Sequence, residues 1–169
     1  MLQRRLHGFG PYGIRGHSQQ LGWTNNVVWT PGANVAIYLP LIVPDTFPVA
    51  GIAIHNGSNL TGNVCLGIYS EAGTRLATTG TTARATASSL QFIALSVTLT
   101  RGRYFLAGVA SEAALGTYLR IAPGSVALTR ILQVRQETLG STVLPATMTP
   151  VAVATAFVPS ILVSQSATI

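Results

Sequence analysis

Lysine is absent from this chain, and its ten basic residues are all arginine. A Walker-type phosphate loop is therefore excluded, because it needs a lysine to reach the phosphates. Acids are scarce as well: Asp45, Glu71, Glu112 and Glu137 are all there are. Glycoside hydrolysis by the usual route needs two carboxyl groups facing one bond. Each acid here falls in or beside a turn or a neutralising context instead: Asp45 after Pro44, Glu71 in a hairpin turn, Glu112 at a one-turn cap and Glu137 near Arg135. Cys65 stands alone, so neither an intramolecular disulfide nor a multi-cysteine zinc site can form. Between Val64 and Leu66 it reads as a buried, inert thiol.

Other absences narrow the reading further. His7, His17 and His55 are not spaced as metal ligands on one face of a strand or helix. No Gly-x-Ser-x-Gly elbow frames a serine, so a triad drawn from His55, Asp45 and any serine carries no information. His55, before Asn56-Gly57, is expected to be a satisfied turn residue. The positive start Met1 to Arg5 runs into Gly8, Gly10, Pro11 and Gly13 rather than an apolar stretch, which does not read as a secretory signal. On that basis the sequons at Asn56 and Asn59 are expected to be chance matches in a turn. The most apolar late segment, Val151 to Val163, is too short for a transmembrane helix and is broken by Pro159. No catalytic residue, metal site, cofactor or membrane partner is expected.

What is present is apolar and β-branched. Of 169 residues, 48% are apolar and 8% charged, where a free soluble domain carries about a quarter charged. One domain of this length buries roughly 70% of its unfolded surface. So sparse a charge implies that much of the exterior is covered by neighbours, since Thr, Ser and Ala cost far less to desolvate than ionised side chains.

Residues 1–22 are rich in Gly and Arg and poor in branched apolar residues, and they read as a basic arm; residues 23–169 read as the folded domain. Short runs of β-branched and aromatic residues, punctuated by Pro, Gly and Asn, predict strands at Val27–Trp29, Val35–Leu39, Val49–His55, Val64–Tyr69, Arg75–Thr79, Gln91–Leu99, Arg103–Ala110, Tyr118–Ile121, Ile131–Gln136, Val151–Phe157 and Ile161–Ser164. Two of the connections, Gly67 to Ala77 and Leu99 to Ala107, each read as strand, glycine turn, strand. In the stretch 92–99, Ile93, Leu95, Val97 and Leu99 share one face and Ala94, Ser96 and Thr98 the other, as in a half-buried strand. Tyr104 to Val109 is apolar throughout, which predicts a central strand covered on both faces. Pro40, Pro44 and Pro48 mark an edge strand or an extended crossing between sheets. Ser111 to Gly116 predicts one helical turn at most. The final segment, Pro150 to Ile169, is expected to be a closing strand or one exchanged with a neighbour.

These runs predict an all-β, antiparallel β-sandwich, jelly-roll-like, with an extended N-terminal arm. Exposed aromatics could serve such a fold as sugar platforms, and Tyr12, Trp23, Trp29, Tyr38 and Tyr118 are the candidates. Trp29 and Tyr38 lie in apolar strands, where core packing is expected. Tyr12 and Trp23 flank the arm as anchors.

From about Asn34 to Gly124 the chain resembles a β-sandwich module of tailed-bacteriophage virion proteins. The resemblance rests on Ala36-Ile37-Tyr38-Leu39-Pro40, then Ile52-Ala53-Ile54, then Val64 to Tyr69 with a short hairpin to Arg75-Leu76-Ala77. Leu95 to Leu99, leading by a glycine turn to Tyr104-Phe105-Leu106-Ala107, completes it. It implies a structural or attachment role on a virion, as a capsid-decorating or tail-associated subunit, and brings no catalytic residues. The expected partners are copies of itself, with a trimer as the working number, and capsid or tail proteins. In this reading Arg4, Arg5 and Arg15 pair with a neighbour's carboxylates while Tyr12 and Trp23 fill apolar pockets. The alternative is a carbohydrate- or receptor-binding module at a tail tip or fibre. Nucleic acid is a weaker expectation, because the strands show no basic-aromatic interleaving.

Overall fold

The computed structural model describes residues 27–29, 32–112, 116–121, 134–152, 158–159 and 161–165. They form an all-β fold of antiparallel sheets, as the alternation and turn spacing predict. The strands are β1 (Val27–Trp29), β2 (Val35–Val43), β3 (Phe47–Leu60), β4 (Asn63–Ser70), β5 (Arg75–Ala83), β6 (Leu90–Leu99), β7 (Gly102–Ala110), β8 (Gly116–Ile121), β9 (Arg135–Thr138), β10 (Val151–Ala152), β11 (Val158–Pro159) and β12 (Ile161–Ser164). One sheet runs β10-β9-β2-β7-β4-β5. The other joins β1, β8 and β3, with β6 along one side of β3.

Three strands of the first sheet are apolar on both faces, and each face has its own core. Ile37, Leu39 and Leu41 of β2, Val64, Leu66 and Ile68 of β4 and Leu106 of β7 meet Ile52, Ile54, Leu95 and Leu99 from the opposite sheet. The intervening residues Ala36, Tyr38, Cys65, Tyr69, Phe105, Ala107 and Val109 point outward and form a second buried cluster with Leu144 and Met148. The period of two along each strand thus sorts one apolar run into two cores.

β3 is the long strand of the other sheet. Phe47 and Val49 face the shared core, and so do Ile52 and Ile54, two sets of opposite parity. The change is made at a register shift between Val49 and Gly51 against β6, since a one-residue slip exchanges the faces of a strand. A side chain at Gly51 would collide with the Phe92 ring and stand 2.7 Å from the Ile93 carbonyl oxygen, which accounts for glycine there. Past the shift, β12 pairs with Gly51–Ile54 and β8 with Asn56 and Leu60 along the same margin of β3. The described strand of the final segment, β12, thus puts Ile161 and Val163 in the inter-sheet core.

The prolines lie where a missing donor is tolerated. Pro40 pairs with Phe105 of β7, beyond the four-residue pairing of β2 with β9 that ends at Tyr38. Pro44 is in the crossing from one sheet to the other, and Pro48 is the second residue of β3, opposite Thr98. Several expectations are corrected. β3 continues through Asn56-Gly57, so His55 is a strand residue whose Nδ1 donates to Asn56 O at 3.0 Å, and no turn occurs at the first sequon. Leu99 to Ala107 is strand, turn, strand as read, and the corner at Thr100-Arg101 carries the chain from one sheet to the other. The Ser111 hydroxyl accepts the Asn63 N–H at 2.9 Å, and the turn expected over Ser111 to Gly116 falls on residues 113–115, outside the described set. β9 begins after Val134 and runs two residues past its predicted end, to Thr138, while residues 131–133 of the predicted run and all but Val151–Ala152 of the predicted Val151–Phe157 strand lie outside the described set.

Candidate interaction surface

The outer face of the first sheet is crossed by a strap, residues 139–149, that no periodicity announces. Leu139 N–H donates to Asn34 O at one end of the sheet, and Thr142 Oγ1 donates to Asn34 Oδ1 at 2.9 Å. Leu144 then lies against Gly67, where a β-carbon would stand 2.8 Å from its methyl group. Tyr69 OH donates to Pro145 O at 2.6 Å, and the Arg75 guanidinium donates to Leu144 O. A one-residue bridge between Thr74 and Thr147 ties the strap to the β4–β5 turn, where Gly73 has φ +89°.

The acids and tyrosines near the strap are spent on holding it. Tyr38 OH donates to Glu137 Oε2 at 2.8 Å, and Thr149 donates to the same carboxylate from both its backbone N–H (3.2 Å) and its hydroxyl (2.6 Å). Burial alone would raise the Glu137 pKa, but these donors outweigh it and hold the carboxyl below the usual range. Glu137 is therefore neutralised by donors rather than by Arg135, which stacks instead on Phe105 with its guanidinium carbon 5.2 Å from the ring centre. Burial pushes the Tyr69 phenol up to about 12 and Tyr38 well above its ordinary value, the second reinforced by the bond to Glu137. Both rings are buried, so Tyr38 is no sugar platform.

A second polar group is equally closed. Asn56, with no exposed surface, donates to Gln91 Oε1 at 2.8 Å and to Ala85 O at 2.6 Å, and accepts Arg84 Nε at 3.3 Å. Gln91 in turn donates to Ala83 O and accepts Ala85 N–H. Arg84 also reaches Thr61 O, and its charge is taken out of the surface. An oligosaccharide cannot be attached to an Asn56 amide so enclosed.

Where the strap ends, the outer face opens into a cleft of about 290 Å³. Ile42 stands directly opposite Arg103 across β2 and β7, and Glu71 follows Ser70, which pairs with Tyr104. This places Ile42, Arg103 and Glu71 in one row on the sheet. Arg103 Nε meets Glu71 Oε1 at 3.5 Å with both side chains more than half exposed, and Ile42 is 60% exposed. Phe105 and Pro40 form the floor and Arg135 the adjoining wall.

The residues singled out from the sequence for partner binding, Arg4, Arg5, Tyr12, Arg15 and Trp23, all lie outside the described residues, as do the side chains of Trp29 and Tyr118. The arm boundary at residue 22 falls there too. The cleft was not anticipated, although an apolar residue at an outward position of β2, amid prolines, was a legible signal for Ile42. Among the described residues no group of three His, Cys, Asp or Glu comes together as a metal site. The chain matches no protein-family model, no curated protein and no solved structure.

Proposed function

We propose that this chain is a non-enzymatic structural protein of a bacteriophage virion, decorating a capsid or associated with a tail, docking on a lattice and self-associating. The observation that carries the reading is a neutral margin. From Leu76 to Ser89 the sequence has one ionisable residue, Arg84, and that side chain is turned inward to Asn56. The outward positions of the neighbouring β6, Ala94, Ser96 and Thr98, are uncharged as well. A surface of small hydroxyl and methyl groups is cheap to desolvate and suits contact with other subunits.

Strand order supports the same reading. The pairings β1-β8-β3-β6 in one sheet and β2-β7-β4-β5 in the other, with β12 beside β3, are those expected of a jelly roll built from two Greek keys and support that reading. That architecture serves viral capsid and lectin domains alike, so it accommodates an assembly or a binding role without choosing between them. Sedimentation of the purified chain over a range of concentrations tests self-association, and cryo-electron microscopy of the particle that carries it tests location. Oligomers in the first and ordered density on the capsid or tail in the second are expected. A monomer at every concentration, absent from the particle, overturns the proposal.

A further inference from the structure

We infer that the open end of the first sheet, the cleft of Ile42, Arg103, Phe105 and Arg135, docks a segment of a different protein that carries carboxylates beside apolar side chains. The inference rests on the reading of the chain as a docking protein, and it names the chemistry of one partner. Arg135 and Arg103 bring two guanidinium groups to the cleft against the single carboxylate of Glu71. Arginine suits this role, because its planar fork matches a carboxylate with two parallel bonds. Beside the charges lie Ile42, 60% exposed, and part-buried Pro40, over a floor made by the largely buried Phe105, an apolar strip that would bury a partner side chain.

A second copy of this chain is a poor source of that segment. Of its four acids, Glu137 is held by Tyr38 and Thr149 and Glu71 by Arg103, while the chain as a whole carries +6. At this cleft a second copy brings a net positive charge against two arginines, whereas contact between copies through the neutral margin carries no such cost. The complementary surface belongs to an acidic partner, and long-range attraction would steer the encounter.

The test uses the full chain with two probes, poly-L-glutamate and a random glutamate–tyrosine copolymer, in titration calorimetry at one fixed salt concentration. The copolymer is expected to bind more tightly than poly-L-glutamate, and I42S to erase that difference. R103Q/R135Q is expected to bind about tenfold more weakly. S58E/S141E, which lowers net charge equally at exposed positions away from both the cleft and the neutral margin, should stay within about twofold of the parent. Denaturant midpoints of all variants establish that they are folded, and R103Q alone, which leaves the Arg135–Phe105 stack in place, should lie between parent and double variant. Equal weakening by S58E/S141E would mean diffuse charge attraction and overturn the proposal. Unchanged binding in R103Q/R135Q would overturn it too, as would tighter binding to single-stranded DNA lost in the same variant. Any of these failures leaves the particle location, read by microscopy, to stand or fall separately.

Discussion

The Tyr38 hydroxyl donates a 2.8 Å hydrogen bond to Glu137 Oε2, joining positions 99 residues apart. The Tyr38 ring also meets Tyr69 edge-on, with centroids 5.3 Å apart and planes at 83°. These contacts fasten β9 and the end of the strap to the face of β2 and β4. Tyr38→Phe keeps the ring and removes the donor, leaving Glu137 with Thr149. A loss of about 1–3 kcal/mol follows for a partner stripped from a charged, part-buried acceptor. It should appear in urea denaturation as a lower midpoint with an unchanged slope. A midpoint equal to the parent's would show that water replaces the hydroxyl at no cost.

The same group sets the pH dependence of stability. Glu137 is held below its ordinary range in the folded chain, so its contribution is complete above the unfolded value and is lost as pH falls through the depressed folded value. Tyr69 titrates at about 12 when folded against 10.0 unfolded, so its contribution is complete below 10.0 and is lost as pH rises toward 12. Denaturant midpoints should therefore fall in strong acid and again in this alkaline window. Tyr38, raised further, contributes to the same fall, so Tyr69→Phe should make it shallower without abolishing it, and a fall as steep as the parent's would assign it to other groups.

The sheet strands were legible in the sequence because period-two alternation and turn residues speak locally. Ile93, Leu95 and Val97 announced a half-buried strand, and Tyr104 to Val109 one covered on both faces. The covering of that second face was not legible. The strap makes its contacts through Leu144, Met148 and backbone carbonyls, which leave no periodic trace. Asn56-Gly57 misled for a related reason. Its turn signal is local, whereas the bonds to Gln91 and Arg84 that keep Asn56 inside a strand come from residues far along the chain. The cleft was illegible because it is the place where the strap stops.

Asn56→Ala tests that buried group. It strips a partner from Arg84 Nε, Gln91 Oε1 and Ala85 O at once, in a site with no solvent to replace it. A cost of about 3 kcal/mol is expected, against less than about 0.5 for Ser58→Ala on the exposed side of the same strand. Equal effects in chemical denaturation would show that the network contributes nothing beyond its neighbours.

Gly51→Ala probes the register shift in β3. The added carbon meets the Phe92 ring, which can turn because it is part-exposed, and the Ile93 carbonyl oxygen, which cannot move without disturbing the ladder. Overpacking of this kind costs about 1–3 kcal/mol. Gly80→Ala, with nothing within 4 Å but φ +68°, reports backbone strain alone. A loss at Gly51 that survives Phe92→Ala identifies the carbonyl as the obstacle, and a loss rescued by Phe92→Ala identifies the ring.

The strap offers the sharpest test of whether the two cores are one cooperative unit. Cys65 is 1% exposed and lies in the outer cluster with Leu144, while Leu99 is equally buried in the inter-sheet core. Leu144→Ala and Leu99→Ala should each cost about 2–5 kcal/mol. If the strap lifts by itself, Leu144→Ala will speed reaction of Cys65 with a thiol reagent far more than Leu99→Ala does at matched loss of stability, because local opening then exposes the thiol without unfolding the sheets. If both variants fall on one line of labelling rate against stability, the strap opens only when the whole fold does. The second result would make the outer cluster a true part of the domain core, with Leu144 as necessary to the sheet as Leu99.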